Sequence, residues 1–291
     1  MPPFPELPAG FRCRPAETAD ATAIGPMAGL AVDEVEAALE RPGLDASADS
    51  LVVLEPAGGI AAWAWVRGRR SQVDVGTAYR GLGLGTALVE WAEQRAIEIG
   101  SPTLAQTVED EDLAGTAILR ARGYEVLATN WELELRATGV PALAALPADV
   151  SIRPFGAEDA PAAYTVIQDA FDEWQPRRWP YDEWARMTIG RSSFAPELSQ
   201  VAYADGELVG VAMCLALPDS QEGHVEQLAV RRDHRGKGLA RTVLAHASFG
   251  FFQQGRPNLT LWTHSGTGAL AMYERLGMSV RRSTTVFSRD L

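Results

Sequence analysis

The chain of 291 residues carries a degenerate copy of itself, and that repeat constrains its fold more than any single motif. Leu7-Pro8-Ala9 and Arg14-Pro15 recur as Leu146-Pro147-Ala148 and Arg153-Pro154 at an offset of 139 (146 − 7). Acidic, Ala-rich sequence follows each, predicting a helix that begins near Thr18 or Glu158. Further on, Val75 to Gly85 matches Val230 to Ala240 at an offset of 155 (230 − 75), so the second copy has gained 16 residues (155 − 139). The gain falls around Phe171 to Trp184, an aromatic and acidic stretch without counterpart in the first half.

Two copies of about 140 residues each are long enough to bury a core. The stretch from Ala137 to Ala148 is small, Pro-containing and aperiodic, which reads as a linker. The expected organisation is a domain over 1–140, a linker over 141–150 and a domain over 151–291.

Composition narrows the class. With 46% hydrophobic and 22% charged residues and no apolar run near the ~20 residues of a membrane span, the sequence reads as a globular protein not embedded in a membrane. No basic-then-apolar leader opens it, which gives the expectation of a cytoplasmic protein. The two cysteines, Cys13 and Cys214, are too few for a disulfide framework, and Cys214 in its apolar run reads as a buried small hydrophobe. A net charge of −12 argues against nucleic acid or an anionic membrane as partner. Against it, Arg231, Arg232, Arg235 and Lys237 form a basic cluster that fits an anionic ligand.

Each copy has one order of elements: a strand, one or two helices, a hairpin turned at Pro56-Ala57-Gly58-Gly59 or Ala204-Asp205-Gly206-Glu207, another strand, the glycine motif and a helix. That helix carries Leu84, Leu88 and Trp91, or Leu239, Val243 and Leu244, at helical spacing. A further strand and a last helix ending at Gly123 or Gly277 complete the copy. The expected fold class is α/β, two tandem domains, each a mixed and mostly antiparallel sheet with helices on both faces.

A strand running into Arg80-Gly81-x-Gly83-x-Gly85, or Arg235-Gly236-Lys237-Gly238-Leu239-Ala240, and then a helix presents backbone N–H groups at a helix N-terminus, a phosphate-binding arrangement. Thr86 and Arg241 stand where a dinucleotide fingerprint needs its third glycine, and the Lys-Ser/Thr end of a nucleoside-triphosphate loop is missing. The pattern Arg-x-x-Gly-x-Gly/Ala resembles the pyrophosphate motif of the GNAT superfamily of N-acetyltransferases, and Thr267 to Met278 resembles that family's last helix. The tandem arrangement is similar to that of the mycothiol synthase type. The resemblance implies acetyl-CoA as co-substrate and no metal. Its pyrophosphate would lie on residues 235 to 240 and its pantetheine along the strand from His224 through Leu228 to Val230. Ser265 is the nearest match to a polar residue that the family often has as Asn.

Acyl transfer to an amine needs a proton acceptor, an oxyanion partner and a proton for the leaving thiolate. Strand alternation puts His224 and Glu226 on one side, about 7 Å apart, as two candidate bases. Tyr273 resembles the family's thiolate-protonating tyrosine. At an offset of 155 the first copy has Arg69 and Ser71 for His224 and Glu226, and aligning Gly123 with Gly277 puts Leu119 at the place of Tyr273. The expectation is therefore a catalytic second copy and a first copy that supports it or only binds CoA through Arg80, Gly81, Gly83 and Gly85. The alternative is an acyl-CoA sensor without turnover. The acceptor is expected to be a small-molecule or peptide amine, with Trp174, Trp179, Tyr181 and Trp184 of the insertion as a candidate wall, on a monomer or homodimer.

Overall fold

The computed structural model describes residues 4–143, 146, 149–173, 177–217 and 220–291. The first copy runs β1 (Arg12–Arg14), α1 (Ala21–Ala28), α2 (Val32–Leu39), α3 (Ala46–Asp49), β2 (Ser50–Leu54), β3 (Ile60–Arg67), β4 (Arg70–Val75), α4 (Leu84–Glu98), β5 (Thr103–Glu109), α5 (Leu113–Ala121) and β6 (Glu125–Arg136). The second runs β7 (Val150–Pro154), α6 (Ala160–Phe171), α7 (Tyr181–Met187), β8 (Gln200–Ala204), β9 (Glu207–Leu215), β10 (Glu222–Val230), α8 (Leu239–Gln253), β11 (Asn258–His264), α9 (Leu270–Arg275) and β12 (Ser279–Asp290). The element order matches the sequence expectation as far as the last helix of each copy, apart from a third short helix, α3, in the first; the strands β6 and β12 that follow the last helices were not foreseen, and α7 begins inside the 16-residue gain.

The repeated Arg-Pro has a structural purpose in both copies. Arg14 donates from both terminal nitrogens to Asp20 at 2.7 Å, and Arg153 does the same to Asp159 at 2.7 and 2.8 Å. Each aspartate also accepts a backbone N–H, from Glu17 or Gly156, and so fixes the turn that leads into the helix. Burial works against the Asp159 charge, but the bonds from Arg153, Tyr203 and the Gly156 amide outweigh it and hold the carboxyl below the usual range.

The chain forms two compact units whose limits differ from the expected 1–140 and 151–291: one is 1–129 with 284–291, the other 130–283. Each copy gives its last strand away. In the first unit β2, β3 and β4 pair antiparallel in sequence, β4 pairs parallel with β5, and β5 pairs antiparallel with the end of β12, from Thr103↔Asp290 to Glu109↔Thr284. In the second, β7 to β10 are antiparallel neighbours, β10 is parallel to β11, and β11 pairs antiparallel with β6, from Asn258↔Arg136 to His264↔Asn130.

Helices cover both faces of each sheet. In the first unit α1 and α2 cover one face over Val52, Trp63 and Trp65, and α4 lies on the other over Val53, Ala62 and Ala64. In the second unit α6 and α7 pack on Val201, Val211 and Ala229, while α8 and α9 pack on Val209, Leu259 and Leu133. Leu133, contributed by β6, is fully buried in that core, a contact of about 1.5–3 kcal/mol. Among the described residues no helix is long and apolar enough to cross a membrane.

A fragment spanning 151–291 lacks β6 and leaves β11 an open edge. It is expected to show no cooperative thermal transition, whereas a fragment spanning 130–283 is expected to melt cooperatively. A cooperative transition in the first and none in the second would contradict the exchange.

Candidate active site

The site starts from a fault in β10. Val225 pairs with Cys214 of β9 and Gln227 with Met213, so Glu226 between them is a bulge residue with no partner on β9. A bulge bends its strand and re-aims side chains. On the other side β10 pairs with β11 only from Glu222↔Asn258 to Val225↔Leu261. Beyond that pair the strands part, and β11 continues on β6 alone. The gap forms a cavity of about 510 Å³, a size suited to a small-molecule site.

The far end of the cavity is the glycine turn. Gly236 and Gly238 have φ of +75° and +84°, a left-handed backbone that disfavours any side chain, and a Cβ on either would point into open space. Gly238 directly precedes α8, so the turn's N–H groups sit at a helix N-terminus. Arg235, Gly236, Gly238, Leu239 and Ala240 all line the cavity, as do Leu228 and Val230 on β10. Lys237 is exposed and does not line the cavity, and Ser265 lies in the exposed turn before α9 without lining it either. Arg235 is engaged: its Nε donates to the Val230 carbonyl at 3.0 Å and its NH1 meets both oxygens of Glu173, at the end of α6, at 3.0 and 2.9 Å.

At the fork, Tyr273 from α9 and Glu226 from β10 line one cavity. Burial pushes the Tyr273 hydroxyl up to about 12, so it stays protonated at neutral pH. His224 Nε2 is 3.4 Å from Glu226 Oε2. Arg191 donates to Glu226 Oε1 at 2.9 Å. The hydrogen bond with His224, followed by the Arg191 charge, outweighs burial and holds the Glu226 carboxyl below the usual range. His224 does not line the cavity itself, and its Nδ1 lies 3.0 Å from Thr260 Oγ1 on β11.

Phe171 and Glu173, from the start of the insertion, also line the cavity, as do Trp262 and His264, which the sequence reading missed. His264 Nδ1 accepts the Gly266 N–H at 3.2 Å, and burial lowers its pKa. Its position at the end of a strand opposite the glycine motif was the available signal. The expected acceptor wall takes another form. Trp184 is fully buried and donates through Nε1 to Gln227 at 3.1 Å, Tyr164 stacks edge-on with Tyr181 at 5.3 Å, and the Trp179 carbonyl accepts from Tyr164. The insertion is mainly a packed cover for the α6 face, and Trp174 lies outside the described residues.

The first unit keeps the turn and lacks the fork chemistry. Gly81 and Gly83 have φ of +76° and +86°, as their counterparts do. Gly85 is a packing position, where a Cβ would meet Ile118 Cδ1 at 3.1 Å. β4 runs without a bulge, so register puts Arg70 and Ser71 opposite His224 and Val225, and Glu226 has no counterpart. The offset that put Ser71 at its place is thus corrected by one inserted residue. Leu119 is fully buried among Val89, Val108 and Phe287.

Comparison with known proteins gives the class. The model of the acetyltransferase (GNAT) family matches residues 35–124 and 161–278, one stretch in each copy, and the chain belongs to that family. It is 32% identical over 255 residues to a mycothiol acetyltransferase of Beutenbergia cavernae, covering 83% of both chains. The crystal structure of a GCN5-related N-acetyltransferase from Sphaerobacter thermophilus superposes with a TM-score of 0.81 at 25% identity, over 98% of this chain and 97% of the other. A tandem GNAT protein from the clavulanic acid biosynthesis pathway shares the fold, with a TM-score of 0.67 at 19% identity over 96% and 98%.

An anion on the glycine turn has to compete with Glu173 for Arg235. Glu173→Gln is expected to tighten coenzyme A binding roughly two- to fivefold by calorimetry, the range of an exposed pair. Weaker binding would show that Glu173 does not compete.

Proposed function

We propose that the chain transfers an acetyl group from acetyl-CoA to a primary amine by direct attack, in the second unit. The single observation that carries this reading is the cavity, which joins the glycine turn at 235–240 to Tyr273 and Glu226 across the parted strands. The turn amides would receive the pyrophosphate. The unpaired edge of β10 from Leu228 to Val230 would give main-chain groups to the pantetheine amides.

The chemistry divides among three side chains. Glu226, held ionised, draws the acceptor ammonium to the fork. The ammonium proton passes to Glu226 or, by way of its carboxylate, to His224. The freed amine attacks the thioester carbonyl, the C–S bond breaks as the tetrahedral centre collapses, the Tyr273 hydroxyl gives its proton to the thiolate, and the second proton shed by the attacking nitrogen returns to the Tyr273 oxygen, directly or through solvent, which leaves the amide and restores the phenol. The first unit, with its turn and without the bulge or tyrosine, supports the second or binds CoA without turnover. The mycothiol acetyltransferase relative supports acetyl as the group transferred.

Tyr273→Phe is expected to lower kcat roughly a hundredfold or more with acetyl-CoA affinity nearly intact, measured as thiol release over an amine panel. A wild-type rate would make water the proton source. Because Tyr273 ionises only at about 12, its loss of protonation should not limit the rate below that pH. On the acid side Glu226, held low, stays charged as pH falls to the carboxylate range. Loss of the acid limb of the pH–rate profile in His224→Ala would identify His224 as the acceptor, and a limb that survives in His224→Ala and is lost in Glu226→Gln would identify Glu226. Stabilisation by acetyl-CoA without turnover of any amine would contradict the enzyme reading.

A further inference from the structure

The fork has two prongs, and the first residue beyond the last pair on each is informative. Val225↔Leu261 is that pair, and Glu226 and Trp262 follow it. Both line the cavity. Trp262 is 44% exposed, an unusual condition for a tryptophan inside a sheet.

Alternation along β11 fixes the side on which this happens. Leu261 faces the core that holds Tyr273, while Thr260 and Trp262 face the other way. Thr260 Oγ1 meets His224, and His224 Nε2 meets Glu226, so all four residues gather on the sheet face opposite Tyr273. The gap runs through the sheet, with the thiolate's proton donor on one side and an indole and a carboxylate on the other.

We propose that Trp262 determines the acceptor: the substrate is a cationic amine whose ammonium is held between the Glu226 carboxylate and the Trp262 ring face. The proposal rests on the acyl-transfer reading of the cavity and adds the acceptor class and the residue that selects it. An indole face attracts a cation through its quadrupole, and the ionised carboxylate beside it gives the same sign of preference. Arg191 and His224 each take up part of the Glu226 oxygens, and a carboxylate with about four lone-pair sites still has room for an ammonium. The aromatic residues of the insertion do not compete for this role, since Trp184 is fully buried and bonded to Gln227. In the first unit the position matching Trp262 is Thr107, and the bulge carboxylate has no counterpart. Neither half of the cation site is present there.

The test uses probes that cannot be acetylated, so it reads acceptor recognition without turnover. Tetramethylammonium and tert-butanol, a cation and a neutral molecule of similar size, are titrated into the full chain with coenzyme A bound. The indole N–H signal of Trp262 is followed by NMR and assigned by its loss in Trp262→Phe. Tetramethylammonium is expected to move that signal saturably and tert-butanol to leave it in place. Glu226→Gln should weaken the titration roughly tenfold. By calorimetry, Trp262→Phe should keep most of the binding and Trp262→Leu should lose it, which separates a ring-face contact from an apolar shelf. Equal responses to both probes, no response, or full binding by Trp262→Leu would overturn the proposal. Absence of thiol release with any amine would count against acetyl transfer and leave these binding results standing.

Discussion

The parting of β10 from β11 after Val225 is the constraint on which the site depends. Adjacent parallel strands normally satisfy each other's backbone groups, and buried N–H and C=O groups without partners are costly. Beyond Val225 the inner edge of β10 has lost its neighbour. A protein keeps such an edge open where a ligand's own amides can take the vacant places. The bulge at Glu226 coincides with the start of the gap, so the residue that breaks the register also lies at its apex. The turn at 235–240 and the tyrosine of α9 would serve little without that opening between them.

The two copies show which parts of such a site are separable. Left-handed glycines before a helix persist in both, because the turn also connects a strand to a helix and needs only backbone. The bulge, the carboxylate, the exposed indole and the buried tyrosine occur together in the second unit, and their positions in the first are a regular strand, Thr107 and the core residue Leu119. Strand exchange binds the unequal copies into one folding problem. The core around Tyr273 includes Leu133 from the first copy, and the core around Leu119 includes Phe287 from the second. Each copy's last strand is therefore needed by the other's core, whatever its own turn binds.

Much of this was legible in the sequence. The hairpin at Asp205-Gly206 shows in its residues, and both have positive φ, 51° and 80°. The glycine turns, the α4 and α8 faces and the last helices follow from spacing, and Tyr273 and Glu226 share one cavity as their motif positions suggested. The exchange was not legible because the sequence reading ended each copy at its last helix and so missed β6 and β12, and nothing local in either strand decides which parallel pair it joins. The bulge was hidden because a one-residue insertion inside an alternating strand leaves composition unchanged while turning every earlier side chain over. Trp262 was passed over because the insertion offered more tryptophans, and burial, which removes Trp184 from consideration, depends on tertiary packing.

Deletion of Glu226 alone gives β10 the bulge-free register of β4 while leaving the glycine turn and Tyr273 in the sequence. The variant is expected to melt cooperatively near the wild-type temperature, to release no thiol from acetyl-CoA above background with any amine, and to keep coenzyme A binding in the second unit, because β4 and β5 also part, after Ser71↔Gln106, without a bulge. A folded deletion variant with wild-type thiol release would contradict this, because the chemistry would then not depend on the carboxylate that the bulge sets at the fork.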